Sequence, residues 1–432
     1  MSGGSFHSVT LDPAKCRGCT TCIRFCPTEA IRVRKGRAYI MDERCIDCGE
    51  CIRACPHNAK KAISDPLSAL ERFPVRVALP APSLYGQFDE RFSVDAILGG
   101  LLALGFTGVF EVARAAELVS DATAAWIDRA GGEGPWISSA CPAVVKLLQV
   151  RFPSLLDRLV PVLSPMETAA RIVKEKLYPG RPDVGVFFIS PCAAKVTVSR
   201  CPQGVRESAV DGVIGIKDVY VPLRNVLPGV AATPLATAGA KGIGWAHIDG
   251  ESDAVGNPRG ISVSGIADVI GVLEALENGK LRNVSFIEAL ACPAGCVGGP
   301  LTVENPYIAR ARVRARQRNC VESLPADPAG PCLGDGGYGW DEKVAPRPAL
   351  RLDPDMLKAM IMMEEMEIVA ESLPGLDCGS CGAPSCKAFA EDVARGKAVI
   401  TDCIFKLREN VRRLAEQLMD MERLQPPGLD KD

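Results

Sequence analysis

Two stretches, CRGCTTCIRFCP from Cys16 and CIDCGECIRACP from Cys45, repeat one cysteine spacing, C-x2-C-x2-C-x3-C-P, near the start of a 432-residue chain. That repeat limits what the chain can be more than anything else in it. The full sequence holds 19 cysteines. Secreted disulfide scaffolds reach such numbers in short chains, whereas clustered cysteines in a long chain favour metal ligation. The start, MSGGSFHSVTLDP, has no cationic-then-apolar signal pattern, and no apolar run approaches the ~20 residues of a spanning helix. The sequence therefore predicts a cytoplasmic protein without a membrane partner. Its net charge of −2 gives no reason to expect nucleic acid. Only His7, His57 and His247 offer imidazole, and none stands in a zinc-type spacing. The available ligands are thiolates, which points to iron–sulfur clusters.

The repeated run is that of bacterial ferredoxins, in which the fourth cysteine of each copy serves the other cluster. One cubane is then expected on Cys16, Cys19, Cys22 and Cys55, and a second on Cys45, Cys48, Cys51 and Cys26. Residues 1–72 are read as this two-cluster, α+β ferredoxin-like domain. From Pro74 the pattern changes. PVRVALP, TGVFEVA, DVGVFFIS and VSFIEAL read as buried strands, and VDAILGGLLALG, a segment near 114–128 and GIADVIGVLEAL read as helices, the last with Ser264 as its expected cap. Strands alternating with helices predict an α/β domain on parallel sheets. Ligands of such sheets collect beyond the carboxyl ends of strands. Cys141 after WISSA, Cys192 after VFFISP, and Cys292 and Cys296 after FIEALA all fall there.

The Arg-, Pro- and Gly-rich residues 302–352 read as an arm and linker leaving the core, and Asp353-Pro354 as the start of a helix with proline in its first position. Cys378, Cys381, Cys386 and Cys403 form a third group, C-x2-C-x4-C-x16-C, suited to a further 4Fe–4S cluster. After it, Leu407, Val411, Leu414, Leu418 and Met421 step by the 3.5-residue repeat of a coiled-coil seam. Pro426 and Pro427 close that helix. So short a helix needs a partner surface, either its own domain, a second copy of the chain, or a signalling protein. Cys201, Cys320 and Cys332 are left without an assigned role.

Three segments, SSACP, SPCAAK and ACPAGCVGGP, resemble in order the TSCCP, MPCxxK and MxCxxxC signatures of FeFe-type hydrogenases. The likeness extends through APSLYGQF, GFTGVFEVA, FPSLL, SPMETAA, VDGVIG and VSGIA, across roughly residues 75–305. It implies a catalytic domain over 73–350, with parallel sheets in two lobes, and a small α-helical 4Fe–4S module over 351–432. It also implies that Cys141, Cys192, Cys292 and Cys296 hold a cubane. Cys296 would bridge to a diiron subcluster carrying CO, cyanide and azadithiolate, and Lys195 would pair with a cyanide. Four 4Fe–4S clusters and the diiron unit make about 18 iron atoms. The partners implied are H2 and protons, a redox protein such as ferredoxin or a signalling protein, and dedicated diiron maturation enzymes.

The sequence departs from the catalytic pattern at the proton relay. Ala140 stands where catalytic members have a cysteine, Val160 where they have a serine, and only Asp121 is acidic where they have glutamates. Ser190 and Leu290 replace motif methionines, and Val198 a glutamate. Retained cluster ligands without the usual proton wire resemble the sensory branches of the family. Three readings remain at this point: a hydrogen sensor, a slow hydrogenase using another proton route, and an iron–sulfur carrier without hydrogenase activity.

Overall fold

The computed structural model describes residues 6–131, 134–231, 233–320 and 337–423. Contacts divide the chain into two compact units. The first comprises residues 1–10, 45–53 and 60–348; the second comprises 11–44, 54–59 and 349–432.

The first unit is α/β and is built on two parallel sheets. In one, Gly108–Val109, Val75–Pro80, Val184–Ser190 and Gly212–Gly215 lie side by side in that order. Val75 pairs with Val184 and Pro80 with Ile189. All seven residues of Val184–Ser190 are buried, as befits a central parallel strand covered on both faces. In the other sheet, Phe286–Leu290 runs between Gly260–Ser264 and Trp136–Ile137. Ile97, Leu98, Leu101, Phe187, Ile189 and Ile214 belong to one buried core around the first sheet. Ser93 caps the helix Val94–Ala103, its hydroxyl accepting from the Ala96 amide at 3.1 Å.

Several local expectations need correction. TGVFEVA yields only a two-residue strand, because the helix Val112–Ala130 begins directly after Glu111. Ser264 does not cap the following helix. It pairs with Leu290 at the end of its own strand, and Gly265, at φ +95°, makes the turn into Ile266–Glu277. The Arg-rich stretch after residue 302 does not leave the core where it is described. Pro306–Arg318 is a helix capped by Asn305, with Ala309 and Val313 buried in the main core. Its arginines hid an alanine and a valine four residues apart. Pro354 is not the first helical residue either, since Asp355 caps Met356–Ser372 by accepting from the Leu357 and Lys358 amides.

In the second unit, Ile31–Arg34 and Arg37–Ile40 form an antiparallel hairpin across Lys35 and Gly36, both with positive φ. The helices Met356–Ser372, Cys386–Ala394 and Ile404–Arg423 belong to the same unit. Arg32, fully buried, pairs with Asp392 at 2.7 Å, and Arg34 reaches the same carboxylate at 2.6 Å. The Val33 amide donates to the Gly382 carbonyl at 2.8 Å, and a Cβ on Gly382 would lie 1.9 Å from the Val33 carbonyl oxygen. Only glycine fits that approach. Ile404–Arg423 buries none of its residues; Pro426 and Pro427 lie outside the described residues. No helix among the described residues is long and apolar enough to cross a membrane.

Candidate metal centre and its surroundings

Each cysteine of the three separated segments stands just past a parallel strand. Cys141 precedes the helix Pro142–Arg151, and Cys192 precedes Ala193–Arg200. Cys292 follows Phe286–Leu290, and Cys296 opens the turn Cys296–Gly298. All four, with Lys195, line one cavity. Most of its remaining wall is apolar, including Ala81, Val112, Met166, Phe188 and Leu290.

The thiols are close enough to oppose one another's ionisation. Burial pushes Cys192 up to about 12, with Cys292 and Cys141 adding repulsion. Cys292 is pushed up to about 11 and Cys296 well above the ordinary thiol range, first by burial in both cases. Burial lowers Lys195, while the thiolates around it and Glu167 pull the other way. Among the described residues no two cysteines are joined as a disulfide. Four partly buried cysteines line one largely apolar cavity. The three whose ionisation is opposed are poor as free thiolates and good as ligands, because a bound metal supplies the compensating charge. The donor set fits an all-cysteine cubane.

The other cysteine groups show the same suitability. The Ala30 amide donates to Cys26 Sγ at 3.1 Å, that of Ala59 to Cys55 Sγ at 3.3 Å, and that of Ala38 to Cys16 Sγ at 3.5 Å. Such N–H donors stabilise charge on a cluster ligand. Cys381, Cys386 and Cys403 share a small core with Leu373, Ala383 and Phe389, and Cys378 acts electrostatically on Cys381. Cys201 ends the helix Ala193–Arg200, and Cys320 packs at the edge of the main core, burial raising its pKa. Cys332 lies outside the described residues.

One ferredoxin-type ligand loop, Cys45–Arg53, lies in the same unit as the cavity. Between Cys45 and Cys48, Asp47 is fully buried and pairs with Lys146 Nζ at 2.6 Å. Its carboxylate also accepts from the Thr197 hydroxyl at 2.9 Å and from the Ser8 and Val9 amides at 3.0 and 3.1 Å. Lys146 sits on the helix headed by Cys141, and Thr197 on the helix headed by Cys192.

The expected relay positions contain no relay. Ala140 presents a methyl group to the cavity. Val160 is packed with Val119, Val162 and Phe286, and Asp121 is exposed. Ser190 closes a local turn by hydrogen-bonding the backbone of Cys192. Two acidic groups that sequence reasoning missed line the cavity instead, Glu251 and Glu288. They are 4% and 1% exposed. Burial, reinforced by Glu288, pushes Glu251 up to about 8, and burial pushes Glu288 to about 7. The Ser138 hydroxyl lies 2.7 Å from both Glu251 oxygens. Glu288 accepts from the Ser252 amide at 2.9 Å and from the partly exposed Ser262 hydroxyl at 3.1 Å. A glutamate inside the otherwise apolar strand FIEAL is itself a sequence signal. Nothing in IDGESDAVG marks Glu251.

Parallel sheets that gather four cysteines past the carboxyl ends of their strands, in a chain with two further cysteine groups, fit an iron–sulfur protein. Comparison with known proteins gives the family. The model for the iron-only hydrogenase large subunit, C-terminal domain, matches residues 75–226 and 231–300, more than half of the chain. A 4Fe–4S dicluster domain matches 8–56 and a Fe–S cluster family matches 373–405. The chain is 26% identical over 366 residues to the periplasmic Fe hydrogenase large subunit of Nitratidesulfovibrio vulgaris, covering 68% of this chain and 86% of that one. It is 25% identical over 355 residues to a subunit of the NADP-reducing hydrogenase of Solidesulfovibrio fructosivorans, covering 67% and 56%. An FeFe-hydrogenase structure from Chlamydomonas reinhardtii superposes with a TM-score of 0.51 at 15% identity, over 66% of this chain and 97% of that one. The chain belongs to the iron-only hydrogenase large-subunit family.

Proposed function

We propose that this protein reacts reversibly with H2 at a diiron cluster, turns over slowly, and uses the reaction to sense hydrogen. Its residues would then pass the redox change through cubanes on Cys16, Cys19, Cys22, Cys26, Cys45, Cys48, Cys51 and Cys55 and on Cys378, Cys381, Cys386 and Cys403. The observation that carries the reading is the cavity of Cys141, Cys192, Cys292, Cys296 and Lys195 with a methyl group, Ala140, where family members place a proton-carrying thiol. When bound, the diiron subcluster supplies the site of dihydrogen activation and the cubane an electron path. Cys141, Cys192, Cys292 and Cys296 would hold the group, and the Lys195 ammonium would attract its anionic ligands.

Protons need a route across the buried shell, and Glu251 and Glu288 supply one. A proton enters at the partly exposed Ser262 hydroxyl and is held on Glu288. It moves to Glu251, whose carboxyl faces the cavity and is oriented by Ser138. Buried carboxyls with raised affinity for protons suit this task near neutral pH. This pair favours a slow hydrogenase over an iron–sulfur carrier, which has no use for a proton path. The output surface is less specific. Leu407, Val411, Leu414 and Leu418 on Ile404–Arg423 are exposed, and they suit a second copy or a signalling partner.

Turnover of the fully matured chain tests the reading. Hydrogen evolution should be measurable but far below that of family members with the complete relay. Ala140→Cys should raise it, and only in part, since Val160 and exposed Asp121 still interrupt the usual path. A wild-type rate equal to that of those members contradicts the proposal.

A further inference from the structure

The short helix Glu50–Arg53 carries Cys51 and ends in an arginine whose side chain is 25% exposed. Arg53 Nη1 donates to the Gly298 carbonyl at 3.2 Å and points at Cys292 Sγ at 3.9 Å. Its Nη2 donates to the Cys48 carbonyl at 3.2 Å and to Glu50 at 2.6 Å. One guanidinium therefore grips the ligand loop of a ferredoxin-type cluster and the loop between Cys292 and Gly299. The two loops are in close contact beside it. Gly49, at φ +78°, has its missing Cβ position 2.6 Å from the Pro300 ring.

We propose that Arg53 sets the reduction potential of the cubane held by Cys141, Cys192, Cys292 and Cys296, and does so from the ligand loop of the neighbouring cluster. This rests on the ligand set proposed above. A fixed cation that hydrogen-bonds a ligand sulfur stabilises the extra negative charge of the reduced cluster and raises its potential. Glu50 holds the guanidinium in one orientation, and the fork geometry lets the two amino groups serve different loops. The step concerned is a one-electron transfer: the Cys45–Cys48–Cys51 cluster loses an electron, the cavity cubane gains it, and no proton or bond changes hands. Arg53 is a positioning residue in this step, since it acts through Cys292.

The test is a redox titration of the full-length, cluster-reconstituted chain followed by electron paramagnetic resonance. The cavity cubane is identified as the signal that Cys296→Ser perturbs. In Arg53→Gln the midpoint of that signal should move to more negative potential, with the signals of Cys378–Cys403 unmoved. Arg53→Lys keeps the charge without the fork and should give a smaller shift in the same direction. If the glutamine variant loses the cluster, the lysine variant decides. An unmoved midpoint at full signal intensity overturns the inference alone. A wild-type chain with no such signal overturns the ligand set and the inference with it.

Discussion

Replacing Glu251 by glutamine should lower hydrogen evolution by about 10²- to 10⁴-fold, the range that positioned acid–base groups contribute. The amide keeps the size of the side chain and can still bond Ser138, so the cavity and its four cysteines should stay in place. Only the exchangeable proton is lost. The pH dependence makes the assignment sharper. Glu251, pushed up to about 8, hands over a proton while it is neutral. Above that pH the carboxylate has none to give, and evolution by the wild-type chain should fall about tenfold per unit. The residual activity of Glu251→Gln should lack that fall. Glu288→Gln should also slow the reaction, because Glu288 stands between the partly exposed Ser262 and Glu251. A glutamine variant that keeps most of the wild-type rate would show that protons arrive another way.

The second large effect is on stability. Lys146→Met should cost about 3 kcal/mol, because removing one partner of a buried ion pair leaves the other charge uncompensated. Lys146 and Asp47 are 1% and 0% exposed along their side chains. The lower end of the usual range applies, since Thr197, Ser8 and Val9 still donate to Asp47. Adding Asp47→Asn should recover most of the loss, as the buried charge is then gone. Pulse proteolysis in urea on the cluster-loaded chain reads both. The single variant should also loosen the Cys45–Arg53 loop, so the clusters should lose iron more readily than in the double variant. Equal stability of wild type and Lys146→Met would mean that Asp47 is held by its neutral donors alone.

Much of this was legible in the sequence because cysteine spacing and strand pattern are local properties. DVGVFFIS and VSFIEAL read as buried strands, apolar along most of their length, and the structure buries every residue of both strands that they form. The placement of Cys192, Cys292 and Cys296 beyond strand ends followed from those runs, and that of Cys141 from the segment WISSA before it. What escaped the sequence was set by distant partners. Ser264 looked like a cap until pairing with Leu290 claimed it for a strand. The arginines of Pro306–Arg318 masked the small apolar face that Gly86 receives, where a Cβ would stand 2.7 Å from the Ala309 carbonyl. Asp47 read as one more acidic residue between two cysteines. Its role depends on Lys146 and Thr197, 99 and 150 residues away. Glu251 is unremarkable until the fold buries it beside Glu288 and Ser138.

The most direct measurement is an infrared spectrum of the full-length chain after anaerobic reconstitution and maturation with the diiron assembly enzymes. The account predicts CO and cyanide stretching bands that shift when H2 is admitted, and that persist in Glu251→Gln. A chain with its full complement of cubanes but no such bands would contradict a diiron centre beside Cys296, and would leave an iron–sulfur carrier as the reading of this cavity.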